Sequence, residues 1–210
     1  MKKIIFMLCL LNCILGFSSK RSMLDFMRSH NRNLSFEESS FIYDVTMHYA
    51  GVYKVDPVLV FSVMKTESHF RHSTVSSAGA LGLMQLMPFN FKEFGVNNSI
   101  EGNIKGGIMH LRRDLDRTGN TVKALVCYNA GCSRLENDKW LSIKETTDYI
   151  SKINRIYPVI KKILFDNSKG AYSQKNQNMG NSESEKENEE SIAEDNKKVR
   201  RLKIVREQLN

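Results

Sequence analysis

DPVLVFSVMKTESHF, residues 56–70, opens with a helix-start signature: a capping aspartate, Asp56, followed by Pro57 at the first helical position. From Val58 to Met64 the segment is almost wholly apolar, so it is expected as a helix buried on most sides. Glu67 lies three, four and seven residues beyond Met64, Val63 and Val60, which puts its carboxylate on the face that packs inward. Burial disfavours the ionised form of a carboxylate and raises its pKa, the property a general acid needs near neutral pH. Pattern alone leaves a second option open, a helix-terminal glutamate reaching out to solvent.

On the N-terminal side, Ser35 with Glu38 forms a capping box ahead of Phe41, Ile42, Val45, Tyr49 and Val52 at helical spacing. On the C-terminal side, PFNFKEFG suggests a short helix from Pro88, and NIKGGIMHLRRDLDRTG a longer one ending near Gly119. NTVKALVCYNAG predicts a helix capped by Asn120 or Thr121 and stopped at Gly131. Residues 143–164 are helical by period, with Pro158 expected to kink or split them. No segment alternates with a period of two, so residues 34–165 are expected to form one all-α domain.

The chain has 210 residues, enough for one domain with appendages. Residues 1–18 have the layout of a secretory leader: Lys2 and Lys3, an apolar run from Ile4 to Leu15, then small residues. An uncleaved anchor, or lipidation at Cys13, are the alternatives for the same stretch. Residues 19–33 are polar and basic and are expected as a linker. Residues 166–210, rich in Ser, Asn, Lys and Glu, are expected to be a disordered charged tail. Its basic end, KKVRRLKIVREQLN, is a candidate for docking on a protein partner or an anionic membrane surface.

The net charge of +8 favours anionic partners. A nucleic acid is not expected, because no interleaved basic and aromatic platform or recognisable motif is present. Outside the leader the cysteines are Cys127 and Cys132, flanking Tyr128-Asn129-Ala130-Gly131. In an oxidising compartment they can close a disulfide; two small buried thiols are the other option. Their spacing, without partnered histidines, is a poor zinc signal, and no metal or cofactor is expected.

Several blocks occur in order: Glu67-Ser68-His69-Phe70; Ser76-Ser77-Ala78-Gly79-Ala80; Gly82-Leu83-Met84-Gln85-Leu86-Met87-Pro88; Asn103-Ile104 with Gly106 or Gly107; Tyr128-Asn129-Ala130-Gly131; and Glu145-Thr146 before Tyr149-Ile150. Together, over roughly residues 50–155, they resemble the soluble lytic transglycosylase family of the lysozyme-like superfamily, related to goose-type lysozyme. The resemblance implies a lysozyme-like helical domain and an exported enzyme that acts on peptidoglycan glycan strands in the periplasm or cell envelope. It implies Glu67 as the catalytic acid and base, with substrate-binding roles for Ser76, Gln85, Met87, Tyr128 and Asn129. Two positions around Tyr128 depart from the family pattern, Cys127 for alanine before it and Cys132 for the frequent proline after Gly131, and the usual threonine and alanine beyond Pro88 are replaced by FNFKEF.

Small residues between Glu67 and Gln85 suit a groove wall that a sugar ring approaches closely. Met84 and Met87 supply adaptable apolar contact, one of the two being expected in the core. The implied reaction cleaves the β-1,4 bond between N-acetylmuramic acid and N-acetylglucosamine without water, leaving a 1,6-anhydro end. Two alternatives stand beside it. One is a hydrolytic muramidase using Asp114, Asp116 or Glu101 to position water; the other is a non-catalytic peptidoglycan-binding or secretion-apparatus accessory protein.

Overall fold

The computed structural model describes residues 19–165. Helix α1 covers residues 19–30, and α2 spans Phe36–Tyr53, α3 Pro57–Ser68, α4 Pro88–Phe94, α5 Ile100–Thr118, α6 Thr121–Ala130 and α7 Lys144–Phe165. A 3₁₀ segment, Cys132–Ser142, links α6 to α7. Among the described residues there are no strands, only isolated bridges of Leu81 with Val75 and Leu86. The all-α expectation is met.

The helix boundaries follow local chemistry. Ser35 and Glu38 form the reciprocal capping box on α2, and the Asp56 side chain accepts from the Val58 N–H at the start of α3. Asn120, rather than Thr121, caps α6 by accepting from the Lys123 N–H. Gly95 and Gly119 end α4 and α5 in the left-handed conformation that costs glycine little.

Helix α3 is the axis of the core, packed against α2 and α7, while α5 packs on α2 and α6. Val60, Phe61, Val63 and Met64 are all fully buried, each such side chain contributing about 1.5–3 kcal/mol of transfer free energy. Three expectations change. Residues 19–33 are not a linker: α1 occupies most of them and buries Met23, Leu24 and Met27, with Phe26 edge-on to Phe70. Three apolar residues among Lys, Arg and Ser make too weak a stripe to register as a helix face.

On α2 the buried face carries Ser39, Ile42, Val45, Thr46 and Ala50, whereas Phe41 and Val52 are 46% and 57% exposed. The interior there accepts Ser39 because its hydroxyl bonds back to the Phe36 carbonyl of its own helix. Pro158 does not divide the last helix, since α7 runs through it to Phe165. The expected leader, 1–18, and charged tail, 166–210, lie outside the described residues.

Candidate functional site

The site begins at the end of α3. Its last residue, Ser68, is buried and donates its hydroxyl to the carbonyls of Met64 and Leu83, tying the helix terminus to the following loop. His69 and Phe70 then take left-handed φ of 54° and 61° and turn the chain sharply, with Phe70 fully buried and its carbonyl held by the Asn31 amide. Left-handed backbone is costly for an aromatic residue, and the buried anchors on either side hold it there. Glu67 therefore stands on a terminus fixed from both sides.

The 71–87 loop folds over this terminus. Ser76 and Ala80 close a small turn in which the Ala80 N–H donates to the Ser76 hydroxyl oxygen at 2.9 Å. Leu81 and Leu86 exchange backbone hydrogen bonds around a tight turn, with Gly82 at φ 81° and Gln85 at φ 49°. Asn103 of α5 supports the turn from below: its Oδ1 accepts from the Met84 N–H, and its Nδ2 donates to the Leu81 carbonyl. A Cβ at Gly82 would sit 2.3 Å from that Nδ2, so this position is closed to any side chain.

Two tyrosines face the Glu67 side. Tyr128 comes from α6 and donates its hydroxyl to the Met84 carbonyl at 2.7 Å. Its ring lies 4.4 Å from the His110 ring, and that imidazole is held between Asp114 and Asn90. Tyr149 comes from α7 and is 5% exposed. Its hydroxyl bears directly on the Glu67 carboxyl.

Electrostatics follow from this enclosure. Glu67 is pushed up to about 7, first by burial and further by the charge of Glu145. Tyr149, as a donor to the carboxylate, and the Lys152 ammonium both oppose that rise. Burial, followed by the charge of Glu67, holds both tyrosine hydroxyls well above the usual tyrosine range, so Tyr128 and Tyr149 stay protonated donors. A carboxyl half-protonated at neutral pH beside two neutral phenols can give up a proton and take one back.

The other expected residues are held in different states. Ser76 is half-buried, and its oxygen accepts one bond while its O–H remains a donor. Both amide hydrogens of Gln85 go to the carbonyls of Thr74 and Gly82, leaving its oxygen as an acceptor; the orientation is required because both partners are acceptors. Of the two methionines, Met84 is fully buried and Met87 half-buried at the α4 cap. Asn129 is half-buried in the last turn of α6.

Cys127 and Cys132 form a disulfide across the α6 terminus, so the two departures from the family pattern are one cross-link on the Tyr128 segment. The acids considered for positioning water are engaged elsewhere. Glu101 accepts from Tyr49, Asp116 pairs with Arg112, and Asp114 is buried against His110.

Tyr149, Glu145 and Lys152 act on Glu67 although sequence reasoning does not single them out as site residues. Glu145-Thr146-x-x-Tyr149 is visible as a motif, but no local pattern says that α7 returns to lie against α3.

Residues 44–151 match the family model of the transglycosylase SLT domain. A stretch of 84 residues is 45% identical to a transglycosylase of Enterobacteria phage PRD1, covering 39% of this chain and 32% of that protein. A membrane-bound lytic murein transglycosylase C of Histophilus somni is 29% identical over 134 residues, covering 52% of this chain and 35% of that one. The chain thus spans about a third of the length of these curated relatives. Among solved structures, the 70 kDa soluble lytic transglycosylase Slt70 of Escherichia coli superposes with a TM-score of 0.55 at 17% identity. That match covers 70% of this chain and 30% of Slt70, and it shows a shared fold.

Proposed function

Because the chain belongs to the transglycosylase SLT domain family, we propose that it is a peptidoglycan lytic transglycosylase with Glu67 as its single catalytic acid and base. The bond cleaved is the β-1,4 link between N-acetylmuramic acid and N-acetylglucosamine. The observation that carries this is the half-buried Glu67 carboxyl at the anchored end of α3, pushed up to about 7 and therefore able to serve in both protonation states.

In the proposed sequence, protonated Glu67 gives its proton to the bridging oxygen as the bond from that oxygen to the muramic anomeric carbon breaks. The substrate's own acetamido carbonyl stabilises the cation that develops. Glu67, now ionised, removes the proton of the muramic 6-hydroxyl, whose oxygen closes on the anomeric carbon. Proton and charge balance, and no water enters.

Tyr149 supports the ionised half of this cycle, since its hydroxyl favours the carboxylate form. Tyr128 holds the Met84 carbonyl and thereby the groove turn against Glu67. Ser76, with its O–H free to donate, suits the acetamido oxygen, and the Gln85 oxygen suits a sugar hydroxyl. Met87 and Asn129 complete the groove wall as apolar and polar contacts.

A cell-envelope location belongs to the same proposal. The Cys127–Cys132 disulfide fits an oxidising compartment, and several relatives are named membrane-bound. No helix among the described residues is long and apolar enough to cross a membrane. Fractionation that finds the protein with the cytosol would remove this part of the proposal.

The experiment for the reaction is clearing of a purified peptidoglycan suspension by the protein and by Glu67→Gln. Loss of an acid and base step costs on the order of 10²–10⁴ in rate, so clearing by the variant should be barely detectable. Clearing at the wild-type rate by Glu67→Gln would reject the assignment.

A further inference from the structure

One turn apart on α5, His110 and Asp114 form a buried polar pair: their side chains are 13% and 2% exposed, and His110 Nε2 lies 3.3 Å from Asp114 Oδ2. Among the described residues nothing else answers that carboxylate oxygen. At the other ring nitrogen, the Asn90 amide of α4, itself buried, lies 3.3 Å from His110 Nδ1. With the amide nitrogen turned to the ring, Nδ1 accepts, so the ring proton sits on Nε2 and faces Asp114. Both nitrogens are thus tied, and the plane of the imidazole is fixed. Tyr128 of α6 packs on that plane, with centroids 4.4 Å apart and an interplanar angle of 32°, and Phe94 of α4 lies 6.0 Å away.

Stability alone gives no reason for this pair. A buried carboxylate is costly even when paired, and apolar groups of the same volume commonly hold a helix interface as well or better. Arg113 does little to offset the cost, since its guanidinium bonds Glu93 at 2.7 Å and reaches Asp114 Oδ1 only at 3.5 Å. Orientation does give a reason. A ring held by apolar contact alone can turn about its Cβ–Cγ bond, whereas one tied at both nitrogens cannot. The effect reaches the groove through Tyr128, whose hydroxyl donates to the Met84 carbonyl at 2.7 Å in a bond that depends on where its ring lies. After burial and Glu67, the charge of Asp114 also keeps that phenol protonated as a donor.

We propose that His110, oriented by Asp114 and Asn90, is a positioning residue that sets the Tyr128 ring and, through its hydroxyl, the groove turn that carries Met84. It touches no reacting atom and acts only through Tyr128. The inference rests on the transglycosylase reading for the reaction it serves.

The test uses the full chain acting on soluble glycan strands. The double variant His110→Phe/Asp114→Leu keeps a ring against Tyr128 and the volume of the carboxylate, but removes the orienting contacts. Exchanging a buried polar pair for apolar groups of similar shape leaves stability unchanged or raises it, so the unfolding temperature should not fall. Turnover should fall on the order of 10-fold, in kcat with KM nearly unchanged, as a displaced positioning group produces. In a Tyr128→Phe background the same two substitutions should cost nothing further, because the hydroxyl through which they act is gone. Asp114→Asn, whose amide oxygen still accepts from Nε2–H, should keep the wild-type kcat.

A double variant with wild-type kcat, or one that loses as much in the Tyr128→Phe background, would overturn the inference. So would a loss that follows a lowered unfolding temperature, or Asp114→Asn falling as far as the double variant, since charge rather than orientation would then matter. Failure of the transglycosylase reading looks different, because the wild type would show no turnover at all. The resonance of an isotope-labelled Tyr128 ring then decides the positioning by itself. It should broaden in the double variant as the ring samples more than one orientation and stay sharp in Asp114→Asn; a sharp signal in both would overturn the inference.

Discussion

Glu67 sits where two opposing influences meet. Burial and Glu145 push its carboxyl up to about 7, while Tyr149 and Lys152 pull it down. A general acid must be protonated in the free enzyme, so kcat/KM on glycan strands should fall as pH rises through about 7. Tyr149→Phe removes an influence that lowers the pKa and should move this limb to higher pH. Glu145→Gln removes one that raises it and should move the limb to lower pH. A pH profile of each variant decides this; limbs that stay in place, or move in the same direction, would show that Glu67 is not the titrating group. The inward face of Glu67 is legible from Met64, Val63 and Val60, all of which are fully buried. The tuning is not, because Tyr149, Glu145 and Lys152 come from a helix far along the chain.

At the scale of elements, the groove turn depends on how closely α5 lets it approach. A Cβ on Gly107 would lie 2.5 Å from the Met84 Cβ, and one on Gly106 would lie 2.7 Å from Leu86 Cδ1. Adjacent glycines cost α5 helix propensity, and close packing under the turn is what they return. Gly107→Ala should lower stability by about 1–3 kcal/mol, because the clash involves the root of a buried side chain that cannot swing aside. Gly51→Ala, with nothing within 4 Å of its Cβ, should instead stabilise α2 by about 0.5–1 kcal/mol. Thermal unfolding of both separates these outcomes, and a harmless Gly107→Ala would mean that the turn does not need this approach. The caps of α2 and α3 can be located from residue type and that of α6 narrowed to Asn120 or Thr121, because cap chemistry is local, whereas the start of α5 at Ser99 lies ahead of the Asn103 from which its pattern is read. The continuity of α7 through Pro158 cannot, since whether a helix tolerates proline depends on what packs around it.

For the molecule as a whole, the correction at residues 19–33 matters most. A segment that reads as a linker is a helix that buries Met23, Leu24 and Met27 and sets Phe26 edge-on to Phe70, which with His69 turns the chain immediately after Glu67 and Ser68. Asn31, just past that helix, also holds the Phe70 carbonyl. Deleting residues 1–33 should therefore cost more than about 4 kcal/mol in denaturant unfolding and should reduce activity along with stability. A truncated protein as stable and active as the full chain would contradict the packing of α1. The family resemblance locates the domain through its motifs, which lie between residues 50 and 155, and so carries no information about this N-terminal helix.

The central claim is that one carboxyl performs both proton transfers and water takes no part. It is tested most directly by mass spectrometry of the muropeptides released from purified peptidoglycan by the wild-type protein and by Glu67→Gln. The expected products are lighter than hydrolytic ones by one water, carry 1,6-anhydro ends, and are lost in the variant. Reducing ends that carry the added water would contradict the claim, and would direct attention to Glu145 as the exposed second carboxylate bearing on Glu67.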